Sequence, residues 1–392
     1  MCNGKKIVAI ISIENLPNIG ERFLVDNTDY LIKKSSCEQY DIKHIQIQPL
    51  IKDLGFSFFF DYLIAKIFVI ISSHFKGNLK YKIESIGFAI KYYRYYKKSI
   101  SAVDKVIMSF GMFKYSTQNY SMMFNLISKI CDTKNISIMQ NAVSVEPFNE
   151  QDWRCHQLKK AINRKCVKFF TTRDGMSGLE LLRKNYINDS IFSDYVGDVA
   201  LWIPECYKIE TQSSACNLIG IGLIRKNICK DYNCTITGEQ LFNIYKDTLL
   251  ELEKRNYNWV LFHNGLDEDR QLGIDLLTEL NLPSSKLLDV GDDVNEYLHT
   301  ITQFKAIFGA RYHACLAAYS LNIPCSGFYW DNKIRFFSES AGITSLFLEP
   351  ENLCAESIIE TIEKAQEIGY DQTLRNKLKN KTIEALDLFL ST

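Results

Sequence analysis

Residues 306–343 read AIFGARYHACLAAYSLNIPCSGFYWDNKIRFFSESAGI. The opening AIFGA is a short apolar run ending in small residues, the form of a strand covered on both faces. Arg311, Tyr312 and His313 then stand at a strand-to-helix turn. ACLAAYSL follows as a helix of small residues, and Pro324 starts a second strand leading to Gly327 and the loop YWDNK. A strand, a crossover helix and a second strand are the unit of a parallel sheet.

The alternation continues on both sides. Upstream, strands are expected at 217–224, 259–263 and 286–290, with helices at 238–253, 270–280 and 294–302. Further back, KIVAIISI (6–13) is a continuous β-branched run, and similar runs lie at 44–50, 105–110, 136–140 and 167–172. Helical stretches at 21–34, 120–131 and 157–165 fall between them. A chain of 392 residues is too long for one ordinary core. The expected fold is therefore α/β, with two Rossmann-like domains facing across a cleft in the GT-B manner. Their expected bounds are 1–207 and 217–370, joined near 205–216, and a helix at 371–392 is expected to cross back to the first domain. Open sheets of this kind bind ligands beyond the C-terminal ends of their strands, so the expected site is the cleft.

Lys plus Arg and Asp plus Glu number 46 each, so no global field draws nucleic acid, and any bound anion must be held by a local cluster. Twelve cysteines are scattered without a C-x-x-C pair, which reads as reduced, mostly buried thiols rather than a zinc site. The N-terminal apolar run is short and lacks a small-residue cleavage site. It reads as a first strand and not as a signal peptide, so the expected location is the cytoplasm.

One region breaks the alternation. Residues 56–73, FSFFFDYLIAKIFVIISS, are strongly apolar but contain Asp61 and Lys66, and a spanning helix needs about 20 mostly uncharged residues. Behind it, Lys91, Arg94 and Lys98 share one helical face, interleaved with Tyr92, Tyr93, Tyr95 and Tyr96. Two readings stay open: a core helix followed by a solvated one, or a peripheral contact through 56–98 with the inner face of the plasma membrane.

The chemistry centres on Arg311 and His313. A guanidinium and an imidazole at the end of a strand and the start of a helix meet free N–H groups and a positive dipole end, which suits an anion. An Arg fork can grip a carboxylate or phosphate with two parallel hydrogen bonds, and a His there can move a proton near neutral pH. Arg173, at the end of the 167–172 strand, is a second candidate; its plainer reading is a helix start capped by Asp174 or Ser177. His263 and Asn264 end another strand, and Lys333 lies in the YWDNK loop. Asp267 and Asp269 form a D-x-D that reads as a solvated loop, and no element demands a metal.

R-Y-H, a small-residue helix, a proline-led strand and an aromatic-D-x-K loop together resemble the signature of the polysaccharide pyruvyl transferase family. FFTTRDGMSGLELL (169–182) is similar to that family's strand-R-D-x-x-S-helix element, and NIGERF (18–23) to its N-x-G-[DE] turn. The likeness covers most of the chain; residues 51–103 match poorly. It implies an enzyme that moves the enolpyruvyl unit of phosphoenolpyruvate onto a pair of sugar hydroxyls as a ketal, in cell-surface polysaccharide biosynthesis. It further implies that Arg173, Arg311, Tyr312 and His313 meet phosphoenolpyruvate or the chemistry, although family members often carry Leu at the position of Tyr312. Lys333 would assist, and His263 and Asn264 would border the ligand. Phosphoenolpyruvate would be a co-substrate with no other cofactor, bound on the C-terminal side. A sugar acceptor, lipid-linked or free, would lie on the N-terminal side near 51–103. The rival readings are a glycosyltransferase using a nucleotide sugar, whose usual E-x-x-x-x-x-x-E element is not found here, and a non-catalytic sugar-binding protein of the same fold.

Overall fold

The structure is a computed structural model describing all residues except 1–4, 14–17, 36–39, 48, 50–55, 117–118, 211–216, 233 and 290–292. Its strands follow the runs read from the sequence. β1 (Lys6–Ser12), β2 (Tyr40–Gln46), β3 (Lys105–Met108), β4 (Met112–Phe113), β5 (Ser137–Val145), β6 (Val167–Thr172) and β7 (Phe192–Tyr195) form one sheet. Its order is β2-β1-β3-β5-β6-β7, with β4 paired to β5. β8 (Leu218–Gly222), β9 (Asn258–Phe262), β10 (Leu287–Leu288), β11 (Phe304–Gly309), β12 (Cys325–Phe328) and β13 (Phe347–Leu348) form the other, in the order β10-β9-β8-β11-β12-β13. Neighbouring strands pair parallel in both sheets.

Parallel pairing explains the unbroken apolar runs, since crossover helices cover both sheet faces. Val8, Ala9, Ile10 and Ile11 of β1 are fully buried, as are Ala306 and Ile307 of β11. Each Val or Ile among them contributes about 1.5–3 kcal/mol through burial. Two expectations shift. The strand expected at 44–50 is Tyr40–Gln46, because its first residues are polar and half-exposed and give no apolar signal. The strand expected at 286–290 shortens to Leu287–Leu288, and Val290 lies outside the described residues.

The described residues fall into two compact units. One is drawn from Met1–Asn15, Thr28–Gly197 and Lys381–Thr392, the other from Leu16–Asn27 and Asp198–Asn380. The sequence reading drew the seam at 205–216, part of which lies outside the described residues. Packing draws it earlier: Val199, Leu201, Trp202 and Ile203 are buried in the second unit. The start of the Ile19–Lys34 helix also belongs to the second unit, and the end of the Gln372–Ser391 helix to the first. There Phe389 is fully buried, with its ring 5.4 Å from that of Phe169.

In the second sheet the first strand, β8, lies beside the fourth, β11. This is the switch point of a doubly wound sheet, where loops diverge from the C-terminal edge and leave room for a ligand.

Candidate functional site

Arg311 follows β11 and is the N-cap residue of the Tyr312–Ser320 helix, with an extended backbone. Ala314, Cys315, Ala317 and Ala318 are buried, and their small side chains let the helix lie close on the sheet. Gly309 is part of that approach: a β-carbon there would stand 2.5 Å from Sγ of Cys315.

The fork of Arg311 is engaged within the protein. Its Nε donates to Oδ2 of Asp269 at 2.8 Å, and Nη2 donates to Oδ1 at 2.6 Å. Oδ1 also accepts from the backbone N–H of Arg225 at 2.8 Å. Arg225 lies just past β8, so one carboxylate ties together the segments leaving the two strands of the switch point. Asp269 is fully buried in the first turn of the Asp267–Glu279 helix, which corrects its reading as a solvated loop. The physical reason is helical phase: Asp269, Leu272, Gly273 and Leu276 share the inward face. Two of the five guanidinium N–H groups serve Asp269, and three remain for other acceptors.

His313 stands in the first turn of the same helix, half-buried. Its ring packs on Gly20, where a β-carbon would meet Nδ1 at 1.9 Å. Gly20 lies in the first turn of the Ile19–Lys34 helix, and its N–H donates to Oδ1 of Asn18 at 3.1 Å. The N-I-G-E and R-Y-H segments, nearly three hundred residues apart in sequence, therefore meet within the second unit. The imidazole lies at the N-terminal ends of two helices, both of which favour negative charge nearby. Tyr312 is buried, and its hydroxyl donates to Asp198 Oδ2 at 3.0 Å, a structural contact that a Leu would lack.

The YWDNK loop is fixed beside this turn, because Trp330 Nε1 donates to the carbonyl of Ala310 at 2.6 Å. Lys333 sits in the first turn of the Asn332–Ser340 helix, capped by Asp331. Its Nζ lies 4.6 Å from the Trp330 ring centroid and 3.7 Å from Asp331 Oδ2.

His263 and Asn264, after β9, are both buried. Nδ1 of His263 accepts from the N–H of Gly265, whose φ of +85° favours glycine. Nε2 lies 3.4 Å from Oδ1 of Asp289. Burial lowers the His263 pKa from its ordinary value, and Asp289 opposes that shift. Asn264 Oδ1 accepts from the Tyr297 hydroxyl at 2.9 Å, so its amide serves the core.

Arg173 belongs to the first unit. It is buried after β6, and its Nη2 donates to the carbonyl of Gly111 at 2.8 Å. Neither expected cap is present in the form read from the sequence. Asp174 instead accepts from Ser144 Oγ and from the N–H of Val145, at 2.9 and 2.7 Å. The physical reason is that its carboxylate turns to the end of β5, while Gly175 takes a positive φ. Beside it β5 bulges: the register shifts between Gln140 and Val143, and Ala142 has φ +46°. A non-glycine residue in that region is strained, and sequence patterning gave no sign of it.

Two parallel sheets, one per unit, with polar groups gathered beyond the strand ends of the second, define a two-domain α/β protein of the GT-B class. Solved structures share this architecture. A UDP-GlcNAc 2-epimerase from Methanocaldococcus jannaschii aligns with TM-score 0.59 at 12% identity over 99% of this chain and 100% of its own. A putative UDP-N-acetylglucosamine 2-epimerase from Listeria monocytogenes gives 0.57 at 10% identity, over 99% and 94%. A UDP-glucosyltransferase from Polygonum tinctorium gives 0.50 at 8%, over 100% and 99%. At such identities the likeness concerns the fold alone. The chain belongs to the polysaccharide pyruvyl transferase family, a transferase family whose model matches residues 26–332. No curated protein matches the sequence.

Proposed function

We propose that this protein transfers the enolpyruvyl unit of phosphoenolpyruvate to two hydroxyls of a sugar and closes it as a pyruvate ketal. The observation that carries the reading is the seating of His313 on Gly20 beside Arg311. This places a proton carrier and a held guanidinium together at helix N-termini, on the strand edge where doubly wound sheets take ligands. Membership of a transferase family supports this reading.

One hydroxyl proton ends on the methylene carbon of phosphoenolpyruvate, which becomes a methyl group. The central carbon gains two C–O bonds to the sugar and loses its bond to phosphate, which leaves with the second hydroxyl proton. His313 is the proposed general acid at the methylene carbon. Arg311, fixed in angle by Asp269, grips the carboxylate or phosphate through its remaining N–H groups, with Lys333 adding charge. Arg173 is proposed as a further phosphoenolpyruvate-binding group. The Tyr312 side chain, His263 and Asn264 frame the site from behind. Phosphoenolpyruvate enters as co-substrate, and no other cofactor is invoked.

The test is phosphate release that requires both phosphoenolpyruvate and a sugar acceptor, read alongside thermal stabilisation. Stabilisation by a nucleotide sugar and not by phosphoenolpyruvate would replace this reading with glycosyl transfer.

A further inference from the structure

The Phe56–Ser73 helix is apolar on almost every side, yet one face only is covered. Phe58, Asp61, Ala65 and Ser72 are buried, facing the Gly77–Ser99 helix. That helix comes close where Gly87 lacks a side chain: a β-carbon there would be 2.9 Å from Cβ of Phe68. The opposite face carries Phe60, Leu63, Ile64, Ile67, Ile70 and Ile71, which follow helical spacing into one strip. Phe60 is 58% exposed and Ile70 62%. Soluble proteins rarely leave a contiguous apolar strip of this kind open to water.

Charge decides what covers it. Residues 56–99 hold eight Lys and Arg against Asp61 and Glu84, in a chain whose charges balance only over its whole length. Both acids are engaged: Asp61 lies 3.4 Å from Arg94, and Glu84 accepts from Ser72 and lies 3.9 Å from Lys80. Lys66 stands on the exposed side of the apolar helix, over the Tyr62 ring at 4.8 Å. Lys97 lies over Tyr93 and is exposed, as is Lys98. In a twofold pairing of two copies through this face, these cations would approach their own counterparts without compensation. An anionic lipid surface supplies the opposite charge along with an apolar layer. Among the described residues no helix is long and apolar enough to cross a membrane. The strip therefore fits a helix lying in the interface, with aliphatic and aromatic groups in the acyl boundary and lysines at the phosphates.

We propose that the 56–98 helical pair docks this protein on an anionic leaflet. The proposal is independent of the transfer reaction above. The test is co-sedimentation of the full chain with vesicles of phosphatidylcholine and phosphatidylserine in equal parts, against phosphatidylcholine alone. The wild type should pellet with the anionic vesicles at low salt and be released as salt screens the charges. Ile67→Gln with Ile70→Gln, and separately Lys66→Gln with Lys97→Gln and Lys98→Gln, alter exposed positions and should leave the melting temperature unchanged. The triple lysine variant should lower partitioning on the order of 100-fold at low salt. No pelleting of the wild type, or equal pelleting of wild type and both variants, would overturn the proposal. So would a dimer in sedimentation velocity that Ile67→Gln with Ile70→Gln disperses, which would assign the face to a second copy.

Discussion

Asp269 holds Arg311 by two parallel hydrogen bonds, and the carboxylate that does so is fully buried. A buried pair is costly to break from one side, because the surviving charge has lost both water and partner. Arg311→Met should cost about 3–5 kcal/mol of stability, and Asp269→Leu a similar amount. Arg311→Met combined with Asp269→Leu should recover most of that stability while activity stays lost. Urea unfolding of the four proteins gives the coupling energy directly. Additive losses would show that the two residues do not act as a unit.

Gly20 is required by His313, not by its own backbone. Alanine at position 20 suits the first turn of a helix, so Gly20→Ala should leave thermal stability nearly unchanged. The added methyl, however, must drive the imidazole aside, since it would begin 1.9 Å from Nδ1. Displacement of the proposed general acid by about 1 Å should cost on the order of 100-fold in rate. Turnover should therefore fall by that order while the melting curve holds. A variant that works normally would separate His313 from the chemistry.

The strands and their parallel arrangement were legible in the sequence because burial on both faces writes itself as continuous apolar runs. Segments 6–13 and 306–309 are examples. The pairing of Asp269 with Arg311 leaves only an ambiguous trace in the sequence. A D-x-D after glycine looks like a polar turn, whereas counting Asp269, Leu272, Gly273 and Leu276 at helical spacing would have turned Asp269 inward. The contact of His313 with Gly20 joins segments nearly three hundred residues apart, and no local pattern reports such a distance. The bulge at Ala142 was invisible for another reason, since positive φ is ordinarily signalled by Gly or Asn.

His313→Gln keeps a hydrogen-bonding side chain of similar reach but cannot carry a proton. If His313 is the general acid, phosphoenolpyruvate should stabilise this variant against heat as it does the wild type, while phosphate release falls by about 100- to 10,000-fold. Loss of stabilisation with the loss of turnover would make His313 a phosphate ligand instead. The split between binding and turnover carries the distinction.

His263 gives the protein a pH dependence whose sign follows from its burial. Desolvation holds its pKa below the ordinary 6.5, and Asp289 only partly offsets this. Asp289 itself is held below its usual range, first by the Arg270 hydrogen bond, so it stays charged throughout the relevant window. Above the unfolded pKa, His263 is neutral in both states and has no effect. As pH falls through 6.5 the unfolded chain takes up a proton that the folded chain refuses. Stability therefore drops, by at most about 1.4 kcal/mol per pH unit for one group, until the lower folded pKa is reached. His263→Gln removes this contribution. Relative to the wild type, the variant should gain stability steadily as the medium is acidified below 6.5, with a constant difference above it. Urea unfolding across that range measures the two curves. Parallel curves would mean that the buried imidazole accepts its proton as readily in the folded chain as in the unfolded one.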